Sequence, residues 1–470
     1  MQDDIPELIQ KSALEILKLL RRSEINALDL LDALETRIED VDGQINALPT
    51  LCFDRARLYA KSVDPHKTIL GGLPVAIKDL EDVSGVRTTY GCKLYENHIP
   101  ENSDILVSHL ETNGGIVYAK SNTPEFGTGG NTTNYVLGTT RNPWNTEMSV
   151  AGSSGGAAAA LATGTAWLAQ GSDMGGSLRN PASFCNIVGM RPSVGRIATN
   201  MGDNVSNTLS TNGPMARNVP DLALLMDAMC GHEHADPLSL PAPHSSFQKS
   251  ALSAQLPKKI AFSMDLGITP VDPQVRNVIT SVIDTLSDAG YQIEECHPDF
   301  SGLNDIFHTL RAHSYSTGLG ELLDKHEDKI HPNVAWNIKQ GMRLCLKDIV
   351  KAESERVALV KRSQAFFNDY AILLTPATIT PPYPLTQNHV EECDGHKFDN
   401  YYQWLSIAYS FTTALCPALS LPCGFSESGL PVGLQIASGT FQDASVISAA
   451  ARIEQILNLN TTLPINPRSA

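Results

Sequence analysis

Long apolar runs are missing from this sequence. No uninterrupted stretch approaches the roughly 18 residues that a membrane-spanning helix requires, so no membrane partner is expected. The opening MQDDIPELIQ has no basic segment followed by an apolar one, so no secretory leader is expected either. Basic residues are in deficit, with 35 Lys and Arg against 51 Asp and Glu. The resulting net charge of −16 argues against general affinity for nucleic acid or anionic membranes. The nine cysteines are odd in number, scattered and without a CxxC pair. They read as buried thiols in a reducing compartment, with a cytoplasmic location as the default, and not as a disulfide framework or a zinc site. Internal repeats and low-complexity tracts are also absent.

What is present is an ordinary globular composition, 42% hydrophobic and 18% charged, in 470 residues. That length suits one large α/β domain or two smaller ones. The chain is organised around Ser149 to Arg191, which holds two small-residue turns, Gly152-Ser153-Ser154-Gly155-Gly156 and Gly175-Gly176-Ser177. Between them lie an alanine-rich run, Ala157 to Ala162, and an apolar segment, Ala166 to Ala169. The pattern predicts turn, helix, buried strand, turn and a second helix starting near Ser177. Each serine then sits close to a helix N-terminus, where free N–H groups favour developing negative charge. Either turn alone reads most simply as a turn. The combination with Lys78, placed in the strand-like Leu73 to Asp79, is more specific.

Spelled out, GGLPVAIKDL, then AGSSGG, then GSDMGGSLRNPASFC resembles the amidase signature family of serine hydrolases in order, spacing and flanking residues. The likeness extends to Arg141-Asn142-Pro143-Trp144-Asn145 and to Pro417 to Gln435, and so to nearly the whole chain. It implies one α/β domain over 1–470, a central mixed sheet sandwiched between helices. The signature core is expected at about 71–200, with N-terminal helices (1–60) packed on it. It implies Ser177 as nucleophile, Ser153 as bridging serine behind a cis Gly152–Ser153 peptide, and Lys78 as general base. The backbone N–H groups of Met174, Gly175, Gly176 and Ser177 are expected to form the oxyanion hole. The Gly127 to Thr133 loop, with Gly127, Thr128 and Gly129, is expected beside the substrate. Asp173 and Arg179 are expected to fix the nucleophile loop, with Ser154 and Ser172 as supporting hydrogen-bonders. Physical chemistry agrees on one point: a lysine, ordinarily near pKa 10.4, acts as a base at neutral pH only where burial disfavours its charge, and Val75, Ala76 and Ile77 supply such a setting.

The resemblance further implies a cofactor-free, metal-free hydrolase of a small-molecule carboxamide, with esters as further candidates and a homodimer compatible with it. The alternative is the A subunit of a glutamyl-tRNA amidotransferase, which shares the signature. Against it, residues 335–365 lack a tyrosine-rich GYYDAYY-like stretch, and Asn212-Gly213-Pro214 departs from DSxGP. A non-catalytic scaffold is disfavoured by the intact lysine and serines. Specificity is expected from the 127–133 loop, the 305–345 helices and the 383–404 segment. Their Phe307, Tyr315, Trp336, Tyr383, Tyr401, Tyr402 and Trp404, with few lysines or arginines, point to an uncharged, partly apolar substrate. Two histidine pairs invite a metal reading. His326 to His331 misses the HExxH register by one residue, and His232 and His234 alone read as loop residues.

Elsewhere periodicity predicts helices over Ile5–Leu20, Ala27–Val41, Ile105–Asn113, Pro273–Ala289 and Phe441–Leu457, and a mostly helical 301–368. Strands are predicted at Gly115–Ala119, Ala371–Pro376, Pro417–Pro422 and Leu430–Gln435.

Overall fold

Pro74–Lys78 is buried along its whole length, as a strand covered on both faces must be. In the computed structural model, which describes residues 5–200, 205, 207–459 and 463–469, this strand lies inside a large mixed sheet. It pairs in parallel with Ile116–Ser121 on one side and Leu168–Asp173 on the other. Thr211–Ala216 runs antiparallel to Leu168–Asp173, followed across the sheet by Val188–Arg191, Ala418–Phe425, Pro431–Ala437 and Leu373–Pro376. Lys259–Phe262 and Gln292–Glu295 close that edge as a parallel pair joined by the helix Pro273–Asp288, one residue shorter than the predicted Pro273–Ala289. Helices cover the sheet, and one large apolar core holds them to it, with two smaller apolar clusters beside it. The chain is thus a single α/β domain with a central mixed sheet between helices, as expected.

The alanine-rich run forms the helix Gly155–Thr163, buried at every position. Small side chains let it approach the sheet closely. At Gly156 even a Cβ would stand 2.3 Å from the Asn122 backbone nitrogen, so nothing larger fits. Gly164 ends the helix in the left-handed conformation that glycine adopts at little cost.

Ile5–Leu20 is not one helix. It divides into Glu7–Gln10 and Ala13–Arg21, because Ser12 caps the second segment. Its hydroxyl accepts from the Glu15 N–H while the Glu15 carboxylate accepts from the Ser12 N–H, a local arrangement that competes with continuous helix. The pieces dock on the main body through the buried Asp221, which accepts from the Ala13 and Leu14 N–H groups, and through Arg217, which donates to the carbonyls of Ile9 and Lys11. The 301–368 region forms three helices, Leu303–His326, Pro332–Met342 and Leu346–Asp369. No helix among the described residues is long and apolar enough to cross a membrane.

Candidate active site

Lys78 ends its strand with a fully buried side chain. Its Nζ donates to Ser153 Oγ at 2.7 Å, Ser154 Oγ at 3.0 Å and Ser172 Oγ at 3.1 Å. Its backbone N–H donates to Gln170 Oε1, which fixes the strand end against its neighbour. Burial pushes the amine down to about 7, with the carboxylates of Glu81 and Asp173 opposing that shift. The three hydroxyls are not equivalent. Ser154 Oγ donates to the Ser172 carbonyl and accepts from the Ser172 N–H, so its own proton is already placed. Ser153 Oγ, the nearest, has no such commitment. A neutral amine here can therefore donate to Ser154 and Ser172 and present its lone pair to Ser153.

Ser153 follows a cis Gly152–Ser153 peptide bond, as the resemblance implied. The turn is wedged against the 129–131 loop, where a Cβ on Gly152 would stand 3.0 Å from the Gly129 carbonyl oxygen. It meets the second turn directly, because the Ser154 N–H donates to the Ser177 carbonyl at 3.2 Å. Ser177 precedes the helix Arg179–Cys185 and is half-buried, whereas Ser153 and Ser154 are buried.

Asp173 holds the second turn. Its carboxylate accepts from the N–H groups of Gly176 and Leu178, both at 3.1 Å, and forms a buried ion pair with Arg179 at 2.8 Å. Arg179 in turn donates to Gln435 Oε1 and the Ala408 carbonyl. Burial alone would raise the Asp173 carboxyl, but Arg179 and Arg191 hold it down to about 2. A depressed carboxyl contributes stability that is complete above its ordinary pKa near 3.8 and is lost as pH falls through about 2. Asp173→Ala strands a buried guanidinium, and a loss of about 3–5 kcal/mol is expected in chemical denaturation. An unfolding free energy within 1 kcal/mol of wild type would remove this role for Asp173.

One expectation needs correction. The Gly176 N–H is already donated to Asp173 and is not available to an oxyanion. The turn that carries the serine folds back over its own anchoring carboxylate, and that consumes the donor. The N–H groups of Met174, Gly175 and Ser177 have no acceptor among the described residues and remain free to serve.

Ser153, Ser172 and Ser177 open into a cavity of about 90 Å³. Gly127 and Gly129 also line it. Thr128 does not; it sits behind the wall with its hydroxyl 2.7 Å from Tyr315 OH. Four of the predicted aromatic residues, Phe307, Tyr315, Tyr401 and Tyr402, form the wall. Tyr383 and Trp404 instead pack edge to face in the core, and Trp336 stands behind Tyr401 and Tyr402. Sequence reading missed Leu80, Phe126, Ser210, Leu405 and Arg311, which also line the cavity. Of these, Leu80 is the last residue of the GGLPVAIKDL stretch and Phe126 directly precedes the Gly127 to Thr133 loop, so both were within reach of sequence reading.

The histidine pairs hold no metal-like arrangement. His326 ends one helix and His331 caps the next, its ring accepting from the Asn333 N–H. His232 lies beside Ser239 Oγ, and His234 stands edge-on to it. Among the described residues no group of three or more His, Cys, Asp or Glu side chains is disposed to hold an ion. All nine cysteines are free thiols.

In sequence and in fold the chain is similar to known proteins. The Amidase family model matches residues 29–447. An acylamidase of Rhodococcus erythropolis is 31% identical over 457 residues, covering 95% of each chain. The A subunit of the glutamyl-tRNA(Gln) amidotransferase of Moorella thermoacetica is 31% identical over 480 residues, 96% of this chain and 97% of its own. The crystal structure of a bacterial aryl acylamidase of the amidase signature family superposes with a TM-score of 0.90 at 24% identity, covering 98% of this chain and all of that one. The chain belongs to the amidase signature family of hydrolases.

Proposed function

We propose that this chain is an amidase that forms an acyl-enzyme on Ser177, with Lys78 as neutral base and Ser153 as proton relay. The observation that carries this reading is the 2.7 Å contact between buried Lys78 Nζ and Ser153 Oγ, at the cavity into which Ser177 opens. Serine hydroxyl is a weak nucleophile until a base takes its proton during attack. As Ser177 Oγ adds to the amide carbon, its proton passes to Ser153 Oγ, and the Ser153 proton passes to Lys78 Nζ. The carbonyl oxygen becomes an oxyanion facing the N–H groups of Met174, Gly175 and Ser177. Collapse breaks the C–N bond, and the departing nitrogen takes a proton back along the same relay. Water then repeats the sequence on the acyl-enzyme and regenerates Ser177.

Nucleophile and proton carriers are all side chains in this scheme, so activity is expected to survive dialysis against a strong chelator. Loss that zinc or manganese restores would contradict it. A second reading, as the A subunit of a glutamyl-tRNA amidotransferase, draws on the 31% identity to the Moorella thermoacetica protein. Incubating the purified chain with a panel of aliphatic, aryl and amino-acid amides separates the two. Turnover of simple amides beyond glutamine by the isolated chain supports the amidase. Turnover restricted to glutamine and dependent on added partner proteins supports the other.

A further inference from the structure

Arg311 is a buried cation in the cavity wall with no anion beside it among the described residues. It stands on the helix Leu303–His326, four residues after Phe307 and four before Tyr315, so the three side chains form one stripe facing the cavity. Buried Arg179, by contrast, is paired with Asp173. The described residues give Arg311 only neutral acceptors: Asn337 Oδ1, Tyr401 OH at 2.8 Å and Tyr315 OH at 3.3 Å. The rings of Tyr315 and Tyr402 lie 4.6 Å from its Cζ. Those bonds use three of the five guanidinium N–H groups and leave Nε–H and one Nη1–H uncommitted. The Tyr401 hydroxyl accepts from Arg311 and also from Asn337 Nδ2 at 2.6 Å, so its own proton is uncommitted too. A guanidinium removed from water is strongly unfavourable unless a counter-charge offsets it. Here side chains from three separate segments hold it in a fixed plane with unused donors.

Resting on the amidase reading above, we propose that Arg311 and Tyr401 bind a carboxylate carried by the substrate. The enzyme then acts on amides that bear a carboxylate elsewhere in the molecule, in preference to neutral amides. A planar fork of N–H donors matches the two oxygens of a carboxylate. A cavity of about 90 Å³ leaves room for a short spacer between that group and the scissile amide. The net charge of −16 repels anions at long range, so an anionic substrate requires a local cation of this kind.

The test compares matched pairs on the wild-type enzyme: succinamate with butyramide, glutaramate with valeramide, and adipamate with hexanamide. At least one carboxylate member is expected to exceed its neutral partner about tenfold or more in kcat/KM, mainly through KM. In Arg311→Gln that ratio is expected to fall on the order of 100-fold, because truncating one partner of a buried charge pair has effects of that size. Neutral amides equal or preferred in every pair, or a ratio unmoved in Arg311→Gln, would overturn the proposal. Calorimetry of succinate, glutarate and adipate on wild-type protein needs neither turnover nor the variant. Absence of dicarboxylate binding by an enzyme that hydrolyses neutral amides overturns the carboxylate site and leaves the amidase reading standing. Dicarboxylate binding without turnover of any amide supports the carboxylate site and overturns the amidase reading.

Discussion

Ser177→Ala is expected to fold normally and to lose about 10⁵-fold or more in turnover, the scale seen when a nucleophile that acts as part of a unit is removed. The side chain is half-buried at a cavity wall, and its hydroxyl makes no hydrogen bond to another described residue, so its removal leaves no buried partner stranded. Thermal unfolding should therefore move by less than the few degrees that 1 kcal/mol produces in a domain of this size. Ser153→Ala differs. It interrupts the relay but leaves the Ser177 hydroxyl in place, so a slower acyl-enzyme should still form. Equal residual turnover in Ser177→Ala and wild type, measured as product released per folded molecule, would remove Ser177 from the mechanism.

Lys78→Ala removes base and relay terminus together, and turnover should fall at least ~10³-fold at neutral pH. The sign of the pH dependence follows from burial. With the amine pushed down to about 7, the wild-type acylation rate should rise as pH increases through that value and then level off. The variant should lack that rise. Lys78→Arg should not rescue it, because a guanidinium stays protonated and cannot accept a proton. A purely structural lysine predicts the opposite pattern, with lost folding by circular dichroism and specific activity largely kept.

Much of this site was legible before any fold was known, for a physical reason. Lys78, Ser153 and Ser177 stand in short stretches whose glycines and small residues are dictated by close packing and turn geometry, and such constraints leave a readable pattern. The buried helix Gly155–Thr163 is the clearest case, since Asn122 and Ala47 leave no room beyond glycine at 156. The strands beside those turns were equally legible, because continuous apolar runs such as Pro74 to Ile77 admit few other placements. Arg311 was not legible. Its partners Asn337 and Tyr401 lie 26 and 90 residues away, and a single arginine in a helical segment looks like any solvated one. A scarcity of lysine and arginine near the site pointed to an uncharged substrate, whereas the proposal built on Arg311 calls for one that carries a carboxylate. The commitment of the Gly176 N–H to Asp173 was also hidden, because it depends on how the turn folds back and not on which residues compose it.

The most direct measurement is the position of the covalent adduct. Wild-type protein treated with a fluorophosphonate, or quenched during turnover of a slow acyl substrate, should gain one modification by intact-mass spectrometry. Peptide mapping should place it on Ser177, with none in Ser177→Ala. A single adduct on Ser153, with Ser177 unmodified, would contradict the account.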